Sequence, residues 1–415
     1  MVQDVYKTEF FESAVKMGFY GLDRGGLLGK KDNVRKYWED LFTKLFVLPA
    51  LCQLRKTRDQ LRIVDMGCGS GEGFELLTHV PYVPHHEPPR SGFLLWRGDI
   101  RQYVGLDISP AMIEQGCENY KGHDNVMFRQ HDLSQGFPLL TDEPFDFYFS
   151  SYSSMSHLTE AQLQTLAEQI FKHASPGACV LFDMLGRYSP EWPTYWGRSN
   201  KEMLPYNMAY LLPPESRSPQ NIEWYQLSYW TAAELRELVR QAANRIGRKI
   251  NVHVADRSIL IGRHMETGQF GANIQMLRSQ VNRLFDRDYR GEVSQLRVDI
   301  GRIRGLSELP AEVTQRVARY CDYWNRIVNL LEALMHSRNN LVQHSIESAQ
   351  AEVPELTEDM KMLTWLYRSS SRFPVADFWA SVMGPQVACV LRNLEMNLGE
   401  GLGCGHGLLA MVQLD

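Results

Sequence analysis

No stretch of the 415-residue chain approaches the ~18 uninterrupted apolar residues a membrane-crossing helix needs, which excludes the helical membrane class. Cysteine pairing is also missing. Cys52, Cys68, Cys117, Cys179, Cys321, Cys389 and Cys404 are scattered with no C-x-x-C pair, so neither a zinc knuckle nor a disulfide framework is present and the residues read as reduced thiols. There is no basic excess. With 44 Lys and Arg against 49 Asp and Glu the net charge is −5, which lacks the electrostatic footprint of a phosphate-backbone binder and disfavours nucleic acid as a partner. The opening MVQDVYKTEFFESAVK mixes charges of both signs without an apolar core and small-residue cleavage pattern. The expectation is a cytoplasmic protein with no membrane association.

What is present is the composition of a globular protein, 44% hydrophobic and 22% charged, at a length that suits an enzyme core plus a second domain. The first part alternates short apolar runs with helical patterns: RIVDMG, FELLTHV, QYVGLDI, AMIEQGCENY, VMFRQHDL, FDFYFSS, EAQLQTLAEQIFKHA, ACVLFDML. This alternation predicts βαβ units wound into a doubly wound α/β sheet, with the ligand crevice at the carboxyl ends of the strands. Beyond about residue 264 the pattern becomes amphipathic and helical. Val313, Val317, Tyr320, Cys321, Trp324, Val328 and Leu331 recur at three- and four-residue spacing and form one apolar stripe. From Glu266 to Asp415 there are 14 Arg, one Lys and 18 acidic residues, a net −3, which is no basic arm. The expected organisation is residues 1–264 as the ligand-binding domain, with an N-terminal cap over about 1–55 and a core over 56–264. Residues 265–404 are an added all-helical subdomain that covers the pocket or makes a homodimer. The final GCGHGLLAMVQLD predicts that residues 405–415 return to complete the first domain's sheet.

The stretch LRIVDMGCGSGEGFELL, Leu61 to Leu77, sets glycines at alternate positions behind an apolar run. A triphosphate loop needs Lys then Ser or Thr after its last glycine, and here Gly71 is followed by Glu72 and Gly73. A dinucleotide G-x-G-x-x-G also fails: counted from Gly69, the last slot is Phe74. Asp65 and Glu72 flank the loop and repel a pyrophosphate aimed at the helix N-terminus. A cationic ligand without phosphate suits these charges better.

VDMGCGSG resembles the first motif of the class I S-adenosylmethionine-dependent methyltransferases, and three further segments follow in that family's order: YVGLDIS, VMFRQHDLSQGFP and FDFYFSSYSSMSHLT. The resemblance spans about residues 55–185 and implies a Rossmann-like methyltransferase sheet that binds S-adenosyl-L-methionine. It implies that Gly67, Gly69 and Gly71 let the backbone approach the methionine and ribose, with Asp65 near the ammonium group. Asp107 then accepts the ribose hydroxyls beside Ile108, Asp132 contacts the adenine amino group beside Leu133, and Ser150 ends the fourth strand beside the cofactor. Tyr20 and Arg35, from the segment before the first strand, are candidates for the methionine carboxylate.

The same resemblance places the methyl acceptor beyond the fourth and fifth strands. His157 and Asp183 are candidate bases, with Tyr152 and Arg187 as orienting groups. The aromatic run holding Tyr188, Trp192, Tyr195, Trp196, Tyr206 and Tyr210 suggests a lid for a planar or cationic acceptor. The loop after the fourth strand lacks the Asp/Asn/Ser-Pro-Pro-aromatic sequence with which nucleic-acid amino-methyltransferases grip a flipped base. The expected activity is methyl transfer to an N, O or C atom of a small metabolite, releasing S-adenosylhomocysteine. The alternatives are an RNA or protein methyltransferase docking through the helical block, a non-catalytic S-adenosylmethionine-binding regulator and, more distantly, a nicotinamide oxidoreductase. His85, His86 and Glu87 form no recognisable ligand set, so no metal is expected.

Overall fold

A computed structural model describes residues 12, 15–16, 32–82, 92–271, 276–288 and 291–415. Tyr20, His85, His86 and Glu87 lie outside the described residues.

One sheet organises the described residues from 61 to 257 together with the chain's last strand. Strands β1 (Leu61–Met66), β2 (Ile100–Asp107), β3 (Val126–Gln130), β4 (Phe147–Phe149) and β5 (Cys179–Gly186) run parallel in the order β3-β2-β1-β4-β5. Beyond β5 the sheet forks. At the carboxyl end, Leu185 and Gly186 pair with β7 (Trp224–Trp230), which forms an antiparallel ribbon with β6 (Met203–Asn207). Along the rest of its length β5 pairs antiparallel with the chain's last strand, β9 (Gly407–Leu414), and β9 pairs antiparallel with β8 (Ile250–Arg257). Residues 258–406 thus run between β8 and β9.

Both sheet faces are covered. Helix α1 (Asp40–Arg55) and helix α2 (Glu72–Thr78) bury Phe42, Leu51, Phe74 and Leu77 with Ile63, Phe147 and Leu181. Helix α3 (Pro110–Asn119) follows β2 and starts at Ser109, whose hydroxyl accepts from Met112 N. On the opposite face, α4 (Glu160–His173) and α5 (Ala232–Arg245) pack Leu163, Ile170, Leu235 and Val239 on Val64, Val180 and Val412. Both helices start at a capping box, Thr159 with Gln162 and Thr231 with Glu234. β1 is buried at every position, as a strand covered on both faces must be.

The remaining helices are α6 (Leu277–Arg283), α7 (Ala311–Met335), α8 (Asn339–Glu352), α9 (Pro354–Arg368) and α10 (Gly384–Met396). All seven stripe residues of α7 are buried, with Trp324 and Val317 fully so. Their core also contains Val34 and Trp38 from the turn leading into α1 and Ile259, Leu260 and Ile261 from the end of β8. The cap and the helical block therefore share one core. A carboxylate on α10 joins the three parts: Glu395 accepts from Ser258 N (2.7 Å), Ile259 N (3.0 Å) and Trp38 Nε1 (3.2 Å). Beside it, buried Glu39 accepts from Arg263 and Arg278. No helix among the described residues is long and apolar enough to cross a membrane.

Candidate cofactor and acceptor site

The loop between β1 and α2 uses its glycines for different purposes. Gly67, Gly69 and Gly71 all have left-handed φ values of 73°, 53° and 92°, where a side chain is strained. A Cβ on Gly67 would stand 2.5 Å from Ser154 Cβ, and one on Gly71 would meet the Phe128 and Tyr120 rings at 2.7 Å. Those two glycines allow close packing. At Gly69 a Cβ would meet nothing within 4 Å, so this backbone borders open space.

Asp107 stands at that opening. Its Oδ2 accepts from Gly69 N and its Oδ1 from Ser109 N, both at 2.9 Å, and burial raises its pKa. The next side chain, Ile108, is 40% exposed, an apolar surface beside a carboxylate at the rim of a bare backbone. These features fit a ligand with ribose hydroxyls and a flat apolar base. Asp132 follows β3 and accepts from Ser134 N (2.9 Å), with Leu133 buried behind it.

Two expected cofactor contacts are buried and hydrogen-bonded within the protein. Asp65 is fully buried, accepts from the Tyr103 hydroxyl and faces Gly73 under α2. Burial pushes its carboxyl up to about 7. Its other oxygen, Oδ1, has no partner among the described residues. Ser150 is fully buried; its hydroxyl donates to Leu181 O (2.9 Å) and accepts from Asp183 N (3.2 Å), which ties the end of β4 to β5.

The loop leaving β4 departs from ordinary backbone at Tyr152 and Ser153, at φ 53° and 62°. Tyr152 N donates to Asp183 Oδ2 (2.7 Å), and the same oxygen accepts from Arg257 Nη2 (2.9 Å). Burial raises the Asp183 pKa, opposed by Arg257. The Tyr152 ring lies 3.5 Å from the Arg35 guanidinium, 4.9 Å from that of Arg257 and 5.2 Å from that of Arg263. Its hydroxyl is buried without a partner among the described residues. Arg35 is held by Glu72 (2.6 Å) beside the glycine loop, so the cap, the glycine loop and the acceptor-side loop meet at Tyr152.

Arg187 is engaged on the helix side of the sheet. Its guanidinium pairs with Glu234 (2.6 Å) at the start of α5 and with Tyr229 O, and it is spent on that helix instead of on the Tyr152 loop. His157 stacks on Tyr225 at 5.6 Å and 10°, and burial lowers its pKa to about 4. The aromatic run forms packed core: Trp192, Tyr206 and Tyr229 are buried with Phe270 in mutual edge-to-face contacts, and Trp192 Nε1 donates to Gly186 O. Tyr188 and Trp196 pack instead with the core of the helical block, and Tyr210 lies against Arg263.

Sequence reasoning missed Thr43, whose hydroxyl accepts from Arg257 Nη1 (2.7 Å), and the buried pair of His406 Nδ1 and Glu191 (2.7 Å). Neither stands in a motif or at a telling spacing. Among the described residues no group of three or more His, Cys, Asp or Glu is arranged to hold a metal ion.

Residues 92–177 match the family described as a methyltransferase domain. No curated protein matches the chain. Among solved structures, the chain is similar to an S-adenosylmethionine-dependent methyltransferase from Clostridium acetobutylicum, with 11% identity over 53% of this chain and 83% of that one, TM-score 0.35. It is also similar to DhpI in complex with SAH (16%, 60% and 88%, 0.34). A third likeness is to S-adenosylmethionine-bound CalS10, an amino pentose methyltransferase from Micromonospora echinaspora (15%, 63% and 97%, 0.34). The family match falls on β2 through α4, next to a glycine loop that opens at Gly69 and an acid at the end of β2, so this segment of the chain is that of a methyltransferase domain.

Proposed function

We propose that the protein transfers the methyl group of S-adenosyl-L-methionine to an N, O or C atom of a small-molecule acceptor, releasing S-adenosylhomocysteine. The observation that carries this reading is the enclosure of the Tyr152 loop. Arg257 is 1% exposed, Asp183 0% and Arg263 9%, so the charged side chains beyond β4 and β5 are enclosed rather than set along an exposed basic surface of the kind a polymer occupies. The Tyr152 hydroxyl, Asp183 Oδ1 and Arg263 Nε are buried there without a partner among the described residues, and buried groups of this kind call for partners.

In this reading Gly67, Gly69, Asp107 and Ile108 hold the cofactor, with Asp132 and Leu133 toward its base and Arg35 toward its carboxylate. The bound cofactor supplies an electrophilic methyl group. The chain's own residues exclude water and align the acceptor, and alignment provides much of the acceleration of such a displacement. His157, neutral at pH 7 because burial lowers its pKa to about 4, is the group proposed to take a proton when the acceptor sheds one.

A second reading, docking of a macromolecular substrate through the helical block, is favoured by the exposure of Met335, Leu341 and Trp365 near the ends of α7 to α9. One experiment separates the two. The protein is incubated with extract of its source cells and S-adenosylmethionine carrying a trideuterated methyl group, and small-molecule and macromolecular fractions are compared by mass spectrometry. Label in a small molecule is expected; label confined to RNA or protein transfers the assignment to the second reading. Cofactor binding by calorimetry with no label in any fraction favours a regulator.

A further inference from the structure

Arg257 ends β8 and Asp183 lies in β5, with β9 between them. The guanidinium crosses β9 over Gly407, its cross-strand partner, where a Cβ would stand 2.9 Å from Nη2 and 3.1 Å from Nε. That glycine clears the path. Having crossed, Nη2 donates to Asp183 Oδ2 (2.9 Å) and Nη1 to Thr43 Oγ1 on α1 (2.7 Å). Arg257, Asp183 and Thr43 are all buried.

A buried ion pair is by itself weak evidence for stability, but this one has a second engagement. The oxygen that Arg257 holds also accepts the Tyr152 amide at 2.7 Å. Tyr152 and Ser153 are consecutive non-glycine residues in the left-handed region. Such backbone is costly and persists only where its surroundings over-determine it, typically at functional sites. The next residue is fastened independently, since Ser154 Oγ donates to Gly67 O (3.1 Å) and Ser151 O (2.6 Å). The Tyr152 turn therefore hangs between an anchor on the cofactor loop and the Asp183 carboxylate.

We propose that Arg257 is a positioning residue for methyl transfer: it crosses β9 at Gly407 to clamp Asp183, and Asp183 holds Tyr152 in the turn that presents its unpartnered hydroxyl to the acceptor. This rests on the reading that the acceptor binds against the Tyr152 loop. Asp183 is then an anchor rather than a base, and the chain's last strand takes part in building the site.

The test uses the full chain and the variants Arg257→Met, Arg257→Lys, Asp183→Asn and Gly407→Ala. Cofactor affinity is read by calorimetry with S-adenosylmethionine. Maximal rate and apparent KM are read by trideuteromethyl transfer over a dilution series of the extract fraction that the wild type labels. Hydrogen exchange of the peptide spanning residues 149–157 reads the Tyr152 amide. Arg257→Met should bind the cofactor within about threefold of wild type, because the Ser154 anchor remains, and lose maximal rate by about 10²-fold, the scale of an ångström-level misplacement. Arg257→Lys should recover part of that loss, and both Arg257→Met and Asp183→Asn should speed Tyr152 exchange. Wild-type rate and wild-type exchange in Arg257→Met overturn the proposal. If that variant fails to fold, Gly407→Ala, which adds one methyl against Nη2, must reproduce the rate loss or the proposal falls. If the wild type labels nothing, the acceptor reading has failed, and unchanged exchange in Asp183→Asn independently removes the clamp.

Discussion

Replacing Glu395 by Ala tests whether the cap, the sheet and the helical block are one cooperative unit. The carboxylate is 3% exposed and accepts from Ser258 N, Ile259 N and Trp38 Nε1. Truncation leaves three buried donors without an acceptor, each costing about 1–3 kcal/mol, for a gross loss of roughly 3–9 kcal/mol. Part of this is returned because a costly buried charge disappears: burial pushes the carboxyl up to about 7. A net loss of about 4 kcal/mol, a large share of the ~5–15 kcal/mol that ordinarily stabilises a protein, is the expectation. Glu395→Gln keeps the shape and one acceptor oxygen and should lose less. The assay is urea unfolding followed by tryptophan fluorescence and far-ultraviolet circular dichroism. Because the three donors lie on the cap and the β8 end while the acceptor lies on α10, the two probes should shift together. A change below about 1 kcal/mol in the Ala variant refutes the reasoning, as does separation into two transitions, one of them unshifted. The pH sign provides an internal check. A carboxyl raised in the folded state stabilises most below its unfolded pKa of about 4.5 and loses that contribution as pH rises through 7. Glu395→Gln should flatten the wild-type stability profile over that window.

Gly69→Val should weaken S-adenosylmethionine binding by more than tenfold in calorimetry, since it strains a φ of 53° and fills the open side of the loop; unchanged affinity would move the cofactor elsewhere. With the His157 pKa lowered to about 4, turnover should be level from about pH 5.5 to 8, and a fall centred near 6.5 would show that the imidazole titrates normally. The same depression means that the stability contributed by neutral His157 is present above its unfolded value of 6.5 and declines as pH falls toward 4. Deleting residues 407–415 removes β9 from between β5 and β8 and should abolish the cooperative melt of the sheet domain; a melting curve like that of the full chain would show β9 to be dispensable.

The sheet's first half was legible because its determinants are local. β1 is a short, mostly apolar run, and glycines at alternate positions behind it announce a backbone near a ligand. Asp107 was readable for the same reason: it ends a strand directly before the Ser109-Pro110 helix start. Other side chains kept their identity but changed their use. Ser150, Asp65 and Arg187 occupy positions where a sequence places ligand contacts, and each is also bonded to a neighbour brought from far along the chain, Leu181, Tyr103 and Glu234. Spacing along one strand says on which face a residue lies and nothing about which distant group already waits there.

The sequence by itself determined the strand and helix alternation, the glycine loop and the acid that follows it, because each depends on contacts within a few residues. Only the tertiary structure decided that β9 separates β5 from β8, that Arg257 passes over Gly407 to Asp183, and that Trp38 and Glu395 fasten the helices to the sheet. Those partners lie 74 and 357 positions apart. Their pairing follows from burial and from the need of enclosed charges and donors for partners, a condition that exists only once the chain has closed around them.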